Sequence, residues 1–264
     1  MKKLISLTLA LTMALTLAAC GGKQGGEHDS DMAYVKGNGK LVVGITEFEP
    51  MDYTDAGGNW IGFDADLAKA FAESLGVTAE FQVIDWDNKI GELEGKTIDV
   101  VWNGMTLTDD VKAAMECSNP YFNNAQVVIV KADKAADYQT VDSVKALQFA
   151  VENGSAGMEQ VEALGASYTP VQDQATALLE VSSGTADAAV IDYLMAAATV
   201  GEGTSYADLT YTVELNSEEY GVGFRKGSDL AAALNDFFKS AYADGTMQQI
   251  ADTYGIGDKL IEQK

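Results

Sequence analysis

Prolines, cysteines and histidines are scarce: the 264-residue chain has three, two and one of them. The single His28 lies in a glycine-rich polar stretch near the N-terminus, and Cys117 precedes Ser118-Asn119-Pro120 with no histidine near it. No His/Cys spacing suited to a metal is present and no nucleophile stands beside a histidine base, so no metal, no cofactor and no catalytic residue is expected. Basic residues are also few, with 17 Lys and Arg against 40 Asp and Glu for a formal charge of −23. Such a surface repels nucleic acid and anionic lipid head groups. No repeat with a solenoid period is present. With no Pro/Gly-rich linker in the body of the chain, two closely joined lobes are expected rather than beads on a string.

What is present begins at the N-terminus. Met1-Lys2-Lys3, the uncharged run Leu4 to Ala19 and "LAAC" have the order of an export signal, a positive start followed by a short apolar core and small residues. That run is marginal for a helix that must cross a bilayer. Cleavage after Ala19 would leave Cys20 first, the pattern of a bacterial lipobox. We therefore expect a signal over 1–19, lipidation of Cys20 and a flexible tether over 20–33, "CGGKQGGEHDSDMA", holding the protein outside the cytoplasm on the cell membrane. An ordinary secretion cleavage beside an unmodified Cys20 is the alternative. Loss of Lys2 and Lys3 leaves 15 basic residues against 40 acidic ones, a formal charge of −25. With Cys20 lipidated, Cys117 is left with no intramolecular partner.

From Lys40 the pattern becomes regular. "KLVVGI" is a strand and "TEFEPMDYTDAGGNW" a loop; "GFDADLAKAFAESLG" is a helix with Leu67, Phe71 and Leu75 on one face and Gly76 at its end. "TAEFQVID" is a strand, "WDNKIGELEGKT" a short helix and loop, and "IDVVW" a strand running into a polar turn, "NGMTLTDD". A second, smaller set follows: "VVIVKA", then helix, strand, glycine turn and helix in "DSVKALQFAVENGSAGMEQVEAL", then "ATALLEVSSGTADAAVID" and the helix "YLMAAATVG". The chain ends with the strand "EYGVGFRKGS" and two helices separated by Asp244-Gly245, with Asp229 as N-cap of the first. Strands alternating with helices predict an α/β protein.

The ordered segments "GFDADLAKAFAESLG", "DW", "IDVVWNGMTLT", "SNPYFNNAQVVIV", "ENGSAG", "ADAAVID", "EYGVGFRKGS" and "ADGTMQQIADTYG" resemble the polar amino-acid substrate-binding proteins of ABC importers, from about Lys40 to Gly255. The resemblance implies a two-lobed periplasmic-binding-protein-like clamp of type II, with mixed sheets flanked by helices and two hinge strands. Lobe 1 would comprise 34–121 plus 220–264 and lobe 2 126–216, with hinges at 121–125 and 217–220. The partners it implies are a small ligand, an amino acid or an amine, and a membrane permease with its ATPase. The clamp itself would be a monomer that meets the membrane only through its lipid.

The same resemblance places ligand contacts at Phe48 and Trp86, flanking the ligand side chain, and at Asn103, Gly104 and Thr106 in the polar turn. In lobe 2 it implies Glu152, Ser155 and Asp192, the last pairing with a ligand ammonium. Each has a plainer reading: core aromatics for Phe48 and Trp86, and helix caps for Ser155 and Asp192. Trp102 can face either way. Thr108, with Asp109 and Asp110, suits the cap and first turn of a helix.

One departure stands out. Relatives carry an arginine three residues after the second threonine of this turn, forked onto the ligand α-carboxylate, and here the residue is Val111. Lys112 is no bidentate substitute, and Arg225 beside the last strand has no reason to enter the cleft. Glu152, and Glu47 next to Phe48, shift the expected ligand toward a cation, since aromatic faces also attract ammonium groups. Equally open is a carboxylate held by Thr106, Ser155 and backbone amides with Glu152 solvated at the rim. An enzyme acting on a small acid, with Glu152 as general acid, and a sensing lipoprotein are the rival classes.

Overall fold

The computed structural model describes residues 30–264. The expected signal over 1–19, Cys20 and the tether as far as 29 lie outside these residues. Among the described residues no helix is long and apolar enough to cross a membrane.

The first stretch contains α1 (Asp31–Asn38), β1 (Lys40–Ile45), the short strands β2 (Tyr53–Thr54) and β3 (Trp60–Ile61), α2 (Phe63–Ser74), β4 (Thr78–Val83), α3 (Lys89–Glu94), β5 (Val100–Thr106), α4 (Asp109–Ala114), β6 (Glu116–Cys117) and β7 (Phe122–Asn124). The middle contains β8 (Gln126–Lys131), α5 (Val141–Val144), β9 (Gln148–Glu152), α6 (Ala156–Leu164), β10 (Ser167–Val171), α7 (Gln174–Ser183), β11 (Ala188–Asp192), α8 (Tyr193–Thr199) and β12 (Leu209–Glu214). The chain then returns through β13 (Glu218–Phe224) to α9 (Leu230–Ala243) and α10 (Thr246–Thr253).

Two mixed sheets result. The first runs β4-β1-β5-β13-β6, with β7 also pairing β13, and the second runs β10-β9-β11-β8-β12. In the first, β4, β1 and β5 are parallel and β13 is antiparallel to β5. In the second, β9 is parallel to β10 and β11 while β8 is antiparallel to β11 and β12. The chain passes from one sheet to the other at Ala125 and back after β12. The crossing segments pair with each other, Glu218 opposite Asn124 and Tyr220 opposite Phe122. This is a two-lobed type II clamp whose lobes are joined by two strands. Carboxyl ends of parallel strands, where α/β sheets present ligand sites, meet between the lobes.

Several details differ from the sequence reading. The turn after "IDVVW" is strand: β5 continues through Asn103 and Gly104 to Thr106. Its pairing with β13 slips between Gly221 and Gly223, so Trp102, Asn103 and Gly104 together face Val222, and Gly104 sits at φ +53°. A bulge there re-aims the strand end toward the neighbouring lobe. The tether expected over 20–33 is helical from Asp31, because the buried Asp31 carboxylate meets Arg225 Nε at 3.0 Å and Val35 enters the core. Arg225 also reaches Asp99 at 3.2 Å and the carbonyls of Leu93 and Ile98, well away from the cleft. Asp229 occupies the N-cap position of α9, yet its carboxylate accepts the Met32 amide at 2.9 Å and makes no side-chain cap bond. Trp102 lies in the core against Phe71 and Phe238. Burying such a ring contributes roughly 2–3 kcal/mol.

Candidate functional site

A cavity of about 310 Å³ lies between the lobes, and all eight residues singled out from the sequence line it. From the first lobe come Phe48, Trp86, Asn103, Gly104 and Thr106; from the second come Glu152, Ser155 and Asp192.

The first wall starts from the end of β1. Asn103 binds the loop there: its Oδ1 accepts the Thr46 amide at 3.0 Å and hydroxyl at 2.8 Å, and its Nδ2 donates to the Thr46 carbonyl at 3.0 Å and to Asp52 at 2.9 Å. The amide is thus committed to holding the loop that carries Phe48. The Phe48 ring packs on Gly104, where a Cβ would lie 2.5 Å from Phe48 Cε1. Its other neighbour is Tyr220, edge to face at 6.3 Å. The Gly104 amide donates to Asp64 Oδ2 at 2.6 Å, and Tyr121 donates its hydroxyl to the same carboxylate at 2.8 Å. Asp64 is fully buried, and burial pushes its carboxyl up to about 7. The Thr106 hydroxyl donates to Glu218 at 2.8 Å; Asn124 and Gln126 donate to the same oxygen. Thr108 caps α4 by accepting the Val111 amide at 3.3 Å, as expected from its residue type, and Val111 lines the cavity.

The second wall is built from β9, α6 and β11. Ser155 is the N-cap of α6 and its Oγ accepts the Met158 amide at 3.1 Å. Asp192 makes no side-chain cap to α8. Its Oδ1 instead accepts Asn124 Nδ2 and the Tyr220 hydroxyl, each at 2.6 Å, and its Oδ2 accepts Gln174 Nε2. Burial, and after it the charge of Glu218, push its carboxyl up to about 7. Glu152 ends β9 at 3% exposure, and its Oε1 has no hydrogen-bond partner. Burial and then the charges of Asp192 and Asp173 hold its carboxyl well above the usual range. A buried carboxylate oxygen without a donor is costly unless a cation or donor reaches it.

Sequence reasoning missed Lys89. Its ammonium lies 4.8 Å from the centre of the Trp86 ring and donates to the carbonyls of Trp86 at 3.2 Å and, across the cleft, of Gly154 at 2.9 Å. Gly154 approaches Asp87 so closely that a Cβ there would lie 2.8 Å from the Asp87 carboxylate. Asp64, Gln174, Glu218 and Tyr220 were missed too; each meets the site across a long stretch of chain, a relation that local spacing does not carry. Glu47, in contrast, does not line the cavity: it is exposed and accepts the Thr54 amide at 3.2 Å. Among the described residues six carboxylates face the cavity, Asp87, Asp110, Glu152, Glu159, Glu162 and Asp192, against one cation, Lys89. Among the described residues no group of three or more His, Cys, Asp or Glu is arranged to hold a metal ion.

The model of the bacterial extracellular solute-binding proteins, family 3, matches residues 41–257. The arginine-binding extracellular protein ArtP of Bacillus subtilis (strain 168) is 30% identical over 268 residues, covering 98% of this chain and 100% of the relative. Among solved structures, a variant of ArgBP from T. maritima superposes with a TM-score of 0.79 at 31% identity over 85% of this chain and 98% of the other. The ancestral amino acid-binding protein AncCDT-1, a precursor of cyclohexadienyl dehydratase, gives 0.78 at 30% identity over 85% of this chain and 99% of the other. With a clamp of this topology and a family match that spans most of its length, the chain belongs to the bacterial extracellular solute-binding proteins, family 3.

Proposed function

We propose that this protein is the extracytoplasmic substrate-binding lipoprotein of an ABC importer, which captures a cationic amino acid or small amine in the cleft and delivers it to a membrane permease. Phe48, Trp86, Asn103, Gly104, Thr106, Glu152, Ser155 and Asp192 form the ligand site. Phe48 and Trp86 supply apolar walls, Asn103 and Gly104 fix the shape of one wall, and the carboxylates of Glu152 and Asp192 meet positive charge. Lobe 1 (34–121 plus 220–264, joined by α1 from Asp31) closes on lobe 2 (126–216) about hinges at 121–125 and 217–220. Cys20 carries the lipid, and the mature protein works as a monomer.

The observation that carries the cationic reading is the buried Glu152 oxygen without a donor, in a cavity lined by six carboxylates and one lysine. Relatives named for arginine binding support the same class. Calorimetric titration with arginine, lysine, glutamine, glutamate and a polyamine tests it: a cation is expected to bind, and tight glutamate binding sinks the idea. A buried glutamic acid whose carboxyl is raised by burial is also what a dehydratase would need as general acid. Recovering the ligand chemically unchanged after long incubation supports the binder, and its conversion supports the enzyme. Lipidation is checked by the loss of membrane retention in Cys20→Ser.

A further inference from the structure

The donors and acceptors of the cleft are unequally spent. On the wall where the resemblance puts an α-carboxylate, the donors already have partners. The Gly104 amide is held by Asp64 at 2.6 Å, the Thr106 hydroxyl by Glu218 at 2.8 Å, and both Asn103 amide protons by Thr46 and Asp52. The Lys89 ammonium donates to two carbonyls, and position 111 is a valine with nothing to donate. A carboxylate entering here would have to break one of these bonds or stay poorly paired, and an ionised group left so is strongly disfavoured.

Acceptors are in surplus. Glu152 Oε1, nine-tenths buried and more, has no donor at all. Farther out, Asp110 on α4 and Glu159 on α6 line the cavity from opposite lobes, and the charge of Asp110 adds to burial in raising the Glu159 carboxyl. Closing two lobes that each bring a carboxylate to the same opening is favourable only if a cation lies between them. Asp110 and Glu159 also line a second cavity of about 640 Å³, where Asp109, Glu218 and Glu219 outnumber Lys112, so an extended ligand has room.

We infer that the ligand is an aliphatic di- or polyamine, or a guanidino-amine, that carries no carboxylate, with one cationic end at Glu152 beside Trp86 and the other between Asp110 and Glu159. This rests on the cationic reading above and narrows it. An amino acid and its decarboxylated product share the distal cation and differ in the carboxylate, for which the donors of the first wall are already engaged and only the Ser155 hydroxyl and the start of α6 remain.

Two matched pairs test it in the mature protein by calorimetry at pH 7.5: arginine against agmatine, and lysine against cadaverine. Each amine is expected to bind at least tenfold more tightly than its parent amino acid. Equal or tighter binding of the amino acids overturns the inference while leaving the cationic reading intact. Binding of glutamine or glutamate with none of the four cations overturns both, as does binding of no ligand in the set. Val111→Arg, which returns a forked cation to the wall, is expected to reverse the preference; if that variant fails to fold by circular dichroism, the wild-type pairs decide alone. A folded Val111→Arg protein that still prefers the amines also counts against the inference, since the missing arginine would then not set the preference.

Discussion

In the wall built on β1 and β5, Asn103 spends its whole amide on Thr46 and Asp52, and Gly104 hands its amide to Asp64. In the wall built on β9 and β11, Glu152 presents an oxygen with no partner, while Asp192 is tied to Asn124 and Tyr220 of the crossing strands. The first wall is finished before a ligand arrives and offers shape. The second is electrostatically incomplete and is linked to the segments that join the lobes. In a clamp, a ligand that satisfies the incomplete wall while touching the finished one makes contacts available only when both lobes are near, and such differential contact is what shifts an open–closed equilibrium.

The largest effect is expected from removing the charge of the incomplete wall. Glu152→Gln keeps the size of the side chain and deletes the buried anion. Removing one partner of a desolvated charge pair costs about 2–5 kcal/mol, so affinity for a cation should fall on the order of a hundredfold by calorimetry. The unliganded protein should become more stable at pH 8, because a poorly paired buried charge is gone. Unchanged affinity would remove Glu152 from the site.

Gly104→Ala attacks the finished wall instead. A methyl at φ +53° and 2.5 Å from Phe48 forces the ring or the strand to move, a cost of about 1–3 kcal/mol. The loss should fall alike on every ligand tested, whereas Glu152→Gln discriminates by charge. A lowered melting temperature with equal affinity losses for cationic and neutral ligands is the expected signature, and a charge-selective loss would blur the contrast between the walls.

The walls also differ in how much of them could be found from sequence. The strand ends carrying Gly104, Thr106, Glu152 and Asp192 lie in ordered segments that the resemblance could align, Phe48 lies in the loop after β1, and all reach the cavity. What escaped is what the chain assembles at a distance. Lys89 meets Gly154 across 65 residues, Glu218 meets Thr106 across 112, and Asp64 meets Gly104 across 40. The edge strand β10 was missed because it is largely exposed and carries Pro170, whereas β12, Leu-Thr-Tyr-Thr-Val-Glu, alternates apolar and polar residues with Leu209 and Val213 buried and was legible but overlooked. Helix α1 has almost no amphipathic pattern; Arg225, nearly 200 residues away, fixes its first turn.

A smaller and graded effect should come from pH. In the folded state Asp64 and Asp192 keep their protons up to about 7, against an ordinary value of 3.8. Between those values the folded chain binds more protons than the unfolded one, so unliganded stability falls as pH rises through about 4 to 7 and levels off above. Cation binding runs the other way, since it favours ionised carboxylates. Affinity should therefore increase from pH 5 to about 7, by about tenfold per unit for each proton displaced, and flatten above the Asp192 value of about 7. Melting temperatures of the free protein and titrations across that range check both signs, and a free protein that is more stable at pH 8 than at pH 5 would contradict the first.

The smallest effect concerns Lys89, a cation of the cleft that belongs to neither wall alone. Lys89 is carried by the first lobe, lies over the Trp86 ring and donates to the Gly154 carbonyl of the second at 2.9 Å. Lys89→Met keeps the apolar stem and the ring contact and deletes that bond. Two consequences oppose each other in affinity: the closed state loses a contact, while a cationic ligand loses a repulsive neighbour. The unliganded equilibrium separates them, because only the first applies there. A bond of this kind is worth about 1–1.5 kcal/mol, so the closed population of the free protein should drop roughly five- to tenfold relative to the open one, seen as a larger radius of gyration in small-angle scattering. Lys89→Arg, which can still donate across the cleft, should stay near the wild type. An unchanged radius in Lys89→Met would mean that the lysine only fills space beside Trp86 and that the two lobes are held together by the crossing strands and the ligand alone.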